Sequence, residues 1–230
     1  MKALIFDAGP IITLALNNLL WILPELKAHF GGHFLITPSV HAEIVERPLR
    51  TKRFKFEAMQ IASLIRAGVL ELATNGSISA RTAQLLELAN SVFSAQQSPL
   101  AIVQHGEIES VAAAAELGAE AVVVDERTTR LLLEDPAALA EFLKAKLHAE
   151  IELDSAKLAA LSKALAKIRL LRSVELVVVA HRLGLLRRYL PELAQPDREL
   201  MDGVLWGLKL NGAALSRTEL EQIVELEAGR

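Results

Sequence analysis

HGEIESVAAAAELGAEAVVVDERTTR, residues 105–130, reads as a helix feeding a buried strand, with a carboxylate at each functional end. Glu107 follows Gly106 where a helix of small and apolar residues begins, and Gly118 supplies the permissive backbone that commonly ends one. Ala121 to Val124 is a β-branched run without polar alternation, the pattern of a strand covered on both faces in a parallel sheet. Asp125 is the first residue to leave it. Ligands of open parallel sheets sit beyond the carboxyl ends of the strands, which puts Asp125 where chemistry is expected.

The same strand, acid, helix pattern recurs upstream. Lys2 to Phe6 is apolar and ends at Asp7, after which Ala8-Gly9-Pro10 turns into an almost wholly apolar helix expected from about Ile11 to Leu23. Phe34 to Ile36 runs into the helix start Thr37-Pro38-Ser39, with Glu43 about one turn inside. A carboxylate there projects over the same sheet edge as Asp7, while His41 falls on another face and reads as structural or solvent-facing. Phe56 to Ala67 has helical spacing, Val69 to Ala73 reads as a third strand, and Ser77 to Gln97 as one or two helices broken at Ser98-Pro99. Leu131 to Leu165 reads as helical, with a break at Asp135-Pro136 and a new start at Asp154-Ser155. Ile168 to Leu171 is either a fifth strand or a continuation of that helix. Helices follow over Val174 to Leu183 and Asp197 to Leu210, and Ser216 to Glu219 fits a capping box for a last one.

At 230 residues and 52% hydrophobic, the chain can bury a sizeable core, and with 4% aromatic residues that core must be mostly aliphatic. The lack of cysteine excludes disulfides, zinc-thiolate sites and thiol nucleophiles. The apolar N-terminal segment is broken by Asp7 and too short to span a bilayer, so a soluble, cytoplasmic protein is expected. A net charge of −3 does not signal nucleic-acid binding by itself. Charge is local, however: Arg47, Arg50, Lys52, Arg53 and Lys55 form a basic stretch without an acid, and Lys163, Lys167, Arg169 and Arg172 form another. Each is either a solvated face or a phosphate-tracking patch. Neither GxGxxG, GxxxxGK[ST] nor GxSxG is present, which excludes the common nucleotide cradles and the hydrolase elbow. What recurs is acid at strand ends and helix starts, an oxygen-rich set that suits Mg²⁺ or Mn²⁺.

IFDAGPIITL around Asp7, ITPSVHAEIVERP around Glu43 and the 105–130 stretch together resemble the PIN-domain nucleases, most of all their prokaryotic VapC-like branch. SVELVVVAHRLGLL and LKLNGAALSRTELEQIVEL are similar to the tail of that branch. The resemblance implies an α/β, three-layer fold with a central, mostly parallel sheet of four to five strands. It further implies a nuclease core over 1–173 with a helical insertion at about 131–167, and a C-terminal helical extension over 174–230. Asp7, Glu43, Glu107 and Asp125 then match the family's acidic quartet, which binds one or two Mg²⁺ or Mn²⁺ ions for RNA hydrolysis. Glu126, Thr13 and Arg130 are auxiliary candidates, and the Arg47 to Lys55 stretch is the candidate RNA contact. A toxin role with an antitoxin protein as partner is compatible with the same resemblance, and the apolar stripes of many helices, with the Ala/Leu-rich insertion, point separately to a homodimer. Two departures keep a second reading open: Gly9 stands where many members carry Ser or Thr, and Glu107 where Asp is more common. That reading is a PIN-like scaffold that binds RNA or protein without turnover. An unrelated α/β metabolite enzyme ranks third, because no cofactor signature supports it.

Overall fold

The computed structural model describes residues 1–190 and 192–228. Ala3–Phe6 (β1) leads into Ala8–Leu16 (α1), Ile22–Phe30 (α2) and His33–Ile36 (β2). Pro38–His41 (α3) continues through a π-helical turn, Ala42–Glu46, into Arg47–Leu49 (α4), followed by Lys55–Arg66 (α5) and the short Glu71–Leu72 (β3). Gly76–Ala89 (α6), Phe93–Ala95 (β4), Ser98–Pro99 (β5), His105–Leu117 (α7) and Ala121–Val123 (β6) come next. Arg127–Glu134 (α8), Pro136–Leu147 (α9), Ile151–Leu153 (β7), Ser155–Leu165 (α10) and Arg169–Leu171 (β8) complete the sheets. Ser173–Arg182 (α11), a 3-10 turn at Leu185–Tyr189, Pro196–Leu210 (α12) and Arg217–Ala228 (α13) close the chain. Among the described residues no helix is long and apolar enough to cross a membrane.

The central sheet is wholly parallel, in the order β3-β2-β1-β6-β8. Strand residues alternate between its faces, and the two cores divide accordingly. Leu4, Phe6, Phe34, Ile36 and Val123 pack under α1, α2 and α11 to α13, whereas Ala3, Ile5, Leu35, Val122 and Val124 pack under α6, α7, α9 and α10. Three layers result, because a sheet without a polar face has to be covered on both sides. Strand order reverses at β1, with β2 to one side and β6 to the other. The carboxyl ends of β1 and β6 therefore border the switch-point crevice where ligands of such sheets sit.

The expected parallel α/β sheet is present, and Ile168 to Leu171 resolves as strand β8 rather than helix. Three expectations about helices are corrected. The single helix from Ile11 to Leu23 is two, because the Asn17 side chain donates back to the Thr13 carbonyl and Asn18 turns left-handed at φ 55. Ser77 to Gln97 is not helical throughout: after α6, Asn90 binds the backbone of Ile102 and Val103 and folds the chain into β4. Leu131 to Leu165 is likewise interrupted by β7, after His148 ends α9 in the left-handed region at φ 51. The expected helical insertion thus carries a strand. β7 pairs antiparallel with β4, which pairs in turn with β5, making a second sheet of three strands.

Gly32 joins α2 to β2 where the chain passes directly over the Lys2 carbonyl, and a Cβ there would collide with that oxygen and with the Phe30 ring. Backbone cannot yield as a side-chain tip can, so Gly32→Ala is expected to cost about 1–3 kcal/mol. Gly76 has open space around it, and Gly76→Ala is expected to be neutral or slightly stabilising. Urea midpoints of the two variants compared with wild type check this, and equal midpoints would contradict it.

Candidate active site

Asp7 caps α1 with extended backbone geometry, and its carboxylate accepts from the Gly9 N–H at 3.4 Å. Its own N–H donates to the Val123 carbonyl at 2.9 Å, which locks the end of β1 to the end of β6. Asp125 leaves β6 two residues after its last strand residue and is 2% exposed. The N–H and hydroxyl of Ser173 both donate to it, at 2.8 and 2.7 Å, and the Thr13 hydroxyl is a further partner. Glu107 occupies the third position of α7, where one carboxylate oxygen accepts from the Gln104 N–H and from the Thr129 hydroxyl at 2.8 Å. Glu43 is exposed and sits in the π-helical turn, a distortion that recurs at functional sites.

These four acids, together with Glu126, line one cavity of about 290 Å³ at the carboxyl edge of the sheet, and no basic side chain lines it. Gly212, from the loop after α12, closes another side. Burial, reinforced by the neighbouring Glu43 and Asp125, raises Asp7 to about 6 even though backbone N–H groups oppose it. Burial, with Glu126 and Asp7 nearby, raises Glu107 to about 7 against the Thr129 and Gln104 bonds. Asp125 is raised as well, by burial, with the Ser173 and Thr13 bonds offsetting part of the effect. Among the described residues, no three histidine, aspartate or glutamate side chains are gathered tightly enough to hold one ion between them. The donor set is all oxygen and free of cations, which fits Mg²⁺ or Mn²⁺; such ions keep several waters and are commonly bound through only one or two carboxylates.

Of the auxiliary candidates, Thr13 touches Asp125 and is buried. Glu126 lines the cavity while its carboxylate caps α8 at the Thr129 N–H, 2.7 Å away. Arg130 turns away from the acids, to Glu134 at 3.1 Å and the Ala214 carbonyl. Arg47, Arg50, Lys52, Arg53 and Lys55 are all exposed, and none joins an ion pair among the described residues. The second basic stretch does not survive as one face, because Arg172 is buried between Glu175 and Glu219. Sequence reasoning missed Ser173, Thr129 and Glu109. Glu109 is buried and accepts from the Ser39 N–H at 3.0 Å, tying α7 to the start of α3. Its place two residues after Glu107 in a run of small residues was the available signal.

The raised acids make stability depend on pH. The folded chain keeps protons on Asp7 and Glu107 that the unfolded chain releases near pH 4, so stability falls as pH rises from about 4 to about 7. For Asp7 alone the full effect is on the order of 3 kcal/mol. Asp7→Asn is therefore expected to be more stable than wild type in EDTA at pH 8 and to lose that advantage at pH 4. Urea unfolding across this range measures it, and a variant that keeps the wild-type slope would count against the raised Asp7.

No curated protein and no solved structure matches the chain. The sequence model of the PIN-domain family matches residues 3–135, more than half of its length and the whole segment from β1 through α8 that carries the acids of the cavity. The chain belongs to the PIN-domain family.

Proposed function

We propose that the protein is a divalent-metal-dependent endoribonuclease whose reaction takes place in the carboxylate cavity. The observation that carries this reading is the gathering of Asp7, Glu43, Glu107 and Asp125, from four separate elements, around one cavity without a cation. A family whose members are generally nucleases supports it. One or two Mg²⁺ or Mn²⁺ ions bound there would supply charge neutralisation, a polarised phosphate and a water acidic enough to attack it. Asp7 and Asp125 are the natural direct ligands, since both are buried and already oriented by neutral donors. Thr13 and Ser173 fix the Asp125 carboxylate without neutralising it. Glu107, with one oxygen already engaged by Thr129 and Gln104, offers its other oxygen to an ion or to an ion-bound water. The VapC-like branch, a toxin role, a partner antitoxin and a cytoplasmic setting belong to this proposal through the sequence resemblance alone.

A second reading, a PIN-like scaffold that binds without turnover, is favoured by one observation: among the described residues no three acids converge as they stand. Cleavage of a panel of single-stranded and structured RNAs in Mn²⁺, Mg²⁺ or EDTA separates the two. Metal-dependent cutting is expected, with Asp7→Asn and Asp125→Asn each slower by about 100-fold or more at unchanged fold. Inactive wild type that also fails to bind Mn²⁺ by calorimetry would leave the scaffold.

Gly9 supplies a further check. A Cβ there would lie 3.6 Å from the Asp125 Cβ and 3.7 Å from an Asp7 oxygen, an ordinary contact. Gly9→Ser is therefore expected to fold normally, to gain up to about 1 kcal/mol from losing a helical glycine, and to bind Mn²⁺ at least as tightly. Weaker Mn²⁺ binding would show that the space between Asp7 and Asp125 is needed open.

A further inference from the structure

A second hollow, of about 230 Å³, adjoins the carboxylate cavity and shares Ile12 and Glu43 with it. Its walls come from α1, the π-helical turn, α4 and the first turns of α5, and apart from Glu43 and Glu57 they are apolar. Phe54 stands at its rim. The residue is 38% exposed and is held at φ 60 and ψ 16, left-handed geometry that a phenylalanine adopts only at a cost in strain. The Arg53 guanidinium lies 4.5 Å from the centre of that ring, and Phe56 is 67% exposed two residues on. Around them stand the exposed cations Arg47, Arg50, Lys52 and Lys55, which no acid pairs among the described residues.

We propose that this hollow receives an unstacked nucleobase of a single-stranded nucleic acid, whose adjoining phosphate lies at the carboxylate cavity. The proposal rests on the nuclease reading for that phosphate's position, though not for the binding of the strand. Apolar walls with one aromatic rim fit the face of a base and offer nothing to a phosphate, whereas the unpaired cations outside fit the backbone. Aromatic residues interleaved with cations are the usual platform for single strands, and a paired base cannot enter a hollow without leaving its helix. An apolar peptide side chain would suit the walls but not the cationic rim, so the occupant we choose is a polyanion. Glu57 adds selectivity. It lines the hollow, and its carboxylate has no hydrogen-bond or ion-pair partner among the described residues. A carboxylate accepts from the exocyclic amine of adenine, cytosine or guanine, whereas uracil offers it only the N3–H, flanked by two carbonyls that it repels. Phe54 is thus a positioning residue and Glu57 the specificity residue.

Fluorescence anisotropy of short labelled RNAs with the full chain, in Ca²⁺ so that binding is read without cutting, tests this. Phe54→Ala is expected to weaken single-strand binding by about 5- to 100-fold, while Phe54→Tyr, which keeps the ring, binds within a few-fold of wild type. Duplex RNA of the same sequence is expected to bind weakly and to be indifferent to residue 54. Oligo-A and oligo-C are expected to bind more tightly than oligo-U, with the gap closing in Glu57→Gln. Single-strand binding by a folded Phe54→Ala that equals wild type would overturn the proposal. So would a Phe54-dependent contact with an apolar peptide but not with RNA. Cutting and Mn²⁺ binding by wild type, run in parallel, fail or succeed independently: neither cutting nor Mn²⁺ binding, with Phe54-dependent strand binding, sinks the nuclease reading alone, and cutting with Phe54-independent binding sinks the base hollow alone.

Discussion

Like charges held close together without a cation are the constraint around which this molecule is built. Several buried or half-buried acids elsewhere are paired with bases: Glu227 meets Arg182, Glu71 meets Lys27, and Glu175 and Glu219 flank Arg172. Around Asp7, Glu107 and Asp125 it uses only neutral donors, namely backbone N–H groups and the hydroxyls of Thr13, Thr129 and Ser173. Neutral donors fix where a carboxylate points without cancelling its charge, so the field in the cavity stays negative and open to a cation from solution. The arrangement stabilises the fold less than ion pairs or apolar side chains would, and that cost is typical of a functional site.

The frame that enforces this extends beyond the segment that matches the family. β8 and Ser173 lie past residue 135, yet Ser173 makes two bonds to the Asp125 carboxylate, and the Ala214 N–H donates to the Asp125 carbonyl at 3.3 Å. α12 passes the C-cap of α1, where Gly207 leaves room for the Asn17 side chain, and Asn211 donates to the same side chain at 3.2 Å. The C-terminal helices share one apolar core with β1 and α1. Sheet edge, acids and C-terminal loop are accordingly coupled through packing, and a loosened α12 would be felt at Asp125.

What was legible in the sequence follows from which forces act locally. β1 and β6 are continuous apolar runs because both faces of a central parallel strand are buried, and a run of that kind ends visibly at Asp7 or Asp125, whereas the edge strand β8 starts with exposed Arg169 and reads equally as helix. The antiparallel strands β4, β5 and β7 carry only two or three residues each, too few for an alternation to stand out. The turn between β4 and β5 puts Gln96 and Gln97 at φ 49 and 64, where a glycine or asparagine would have announced it. Tertiary pairing of Phe93 with Leu153 makes that turn, not local preference. The clamps on the acids were hidden for a similar reason: Ser173 and Thr129 are ordinary helix-start residues until β8 and α8 bring them to the cavity.

Glu43 differs from the other three acids, and the difference has a structural origin. The π-helical turn closes with the Arg47 N–H on the Ala42 carbonyl, one residue wider than an α-helical bond, so Ile44 and Val45 are both buried while Glu43 stays at the cavity edge. Its carboxylate has no hydrogen-bond partner among the described residues, whereas the neighbouring Glu46 is engaged by His41 at 3.2 Å. Three acids are therefore fixed in advance and one is free to adjust. Because Glu43 also borders the apolar hollow beside Phe54, the adjustable acid is the one placed between the two chambers. Neutral donors hold the buried pair at Asp7 and Asp125 in place, and a single movable carboxylate at the border of the two chambers can shift without disturbing that pair.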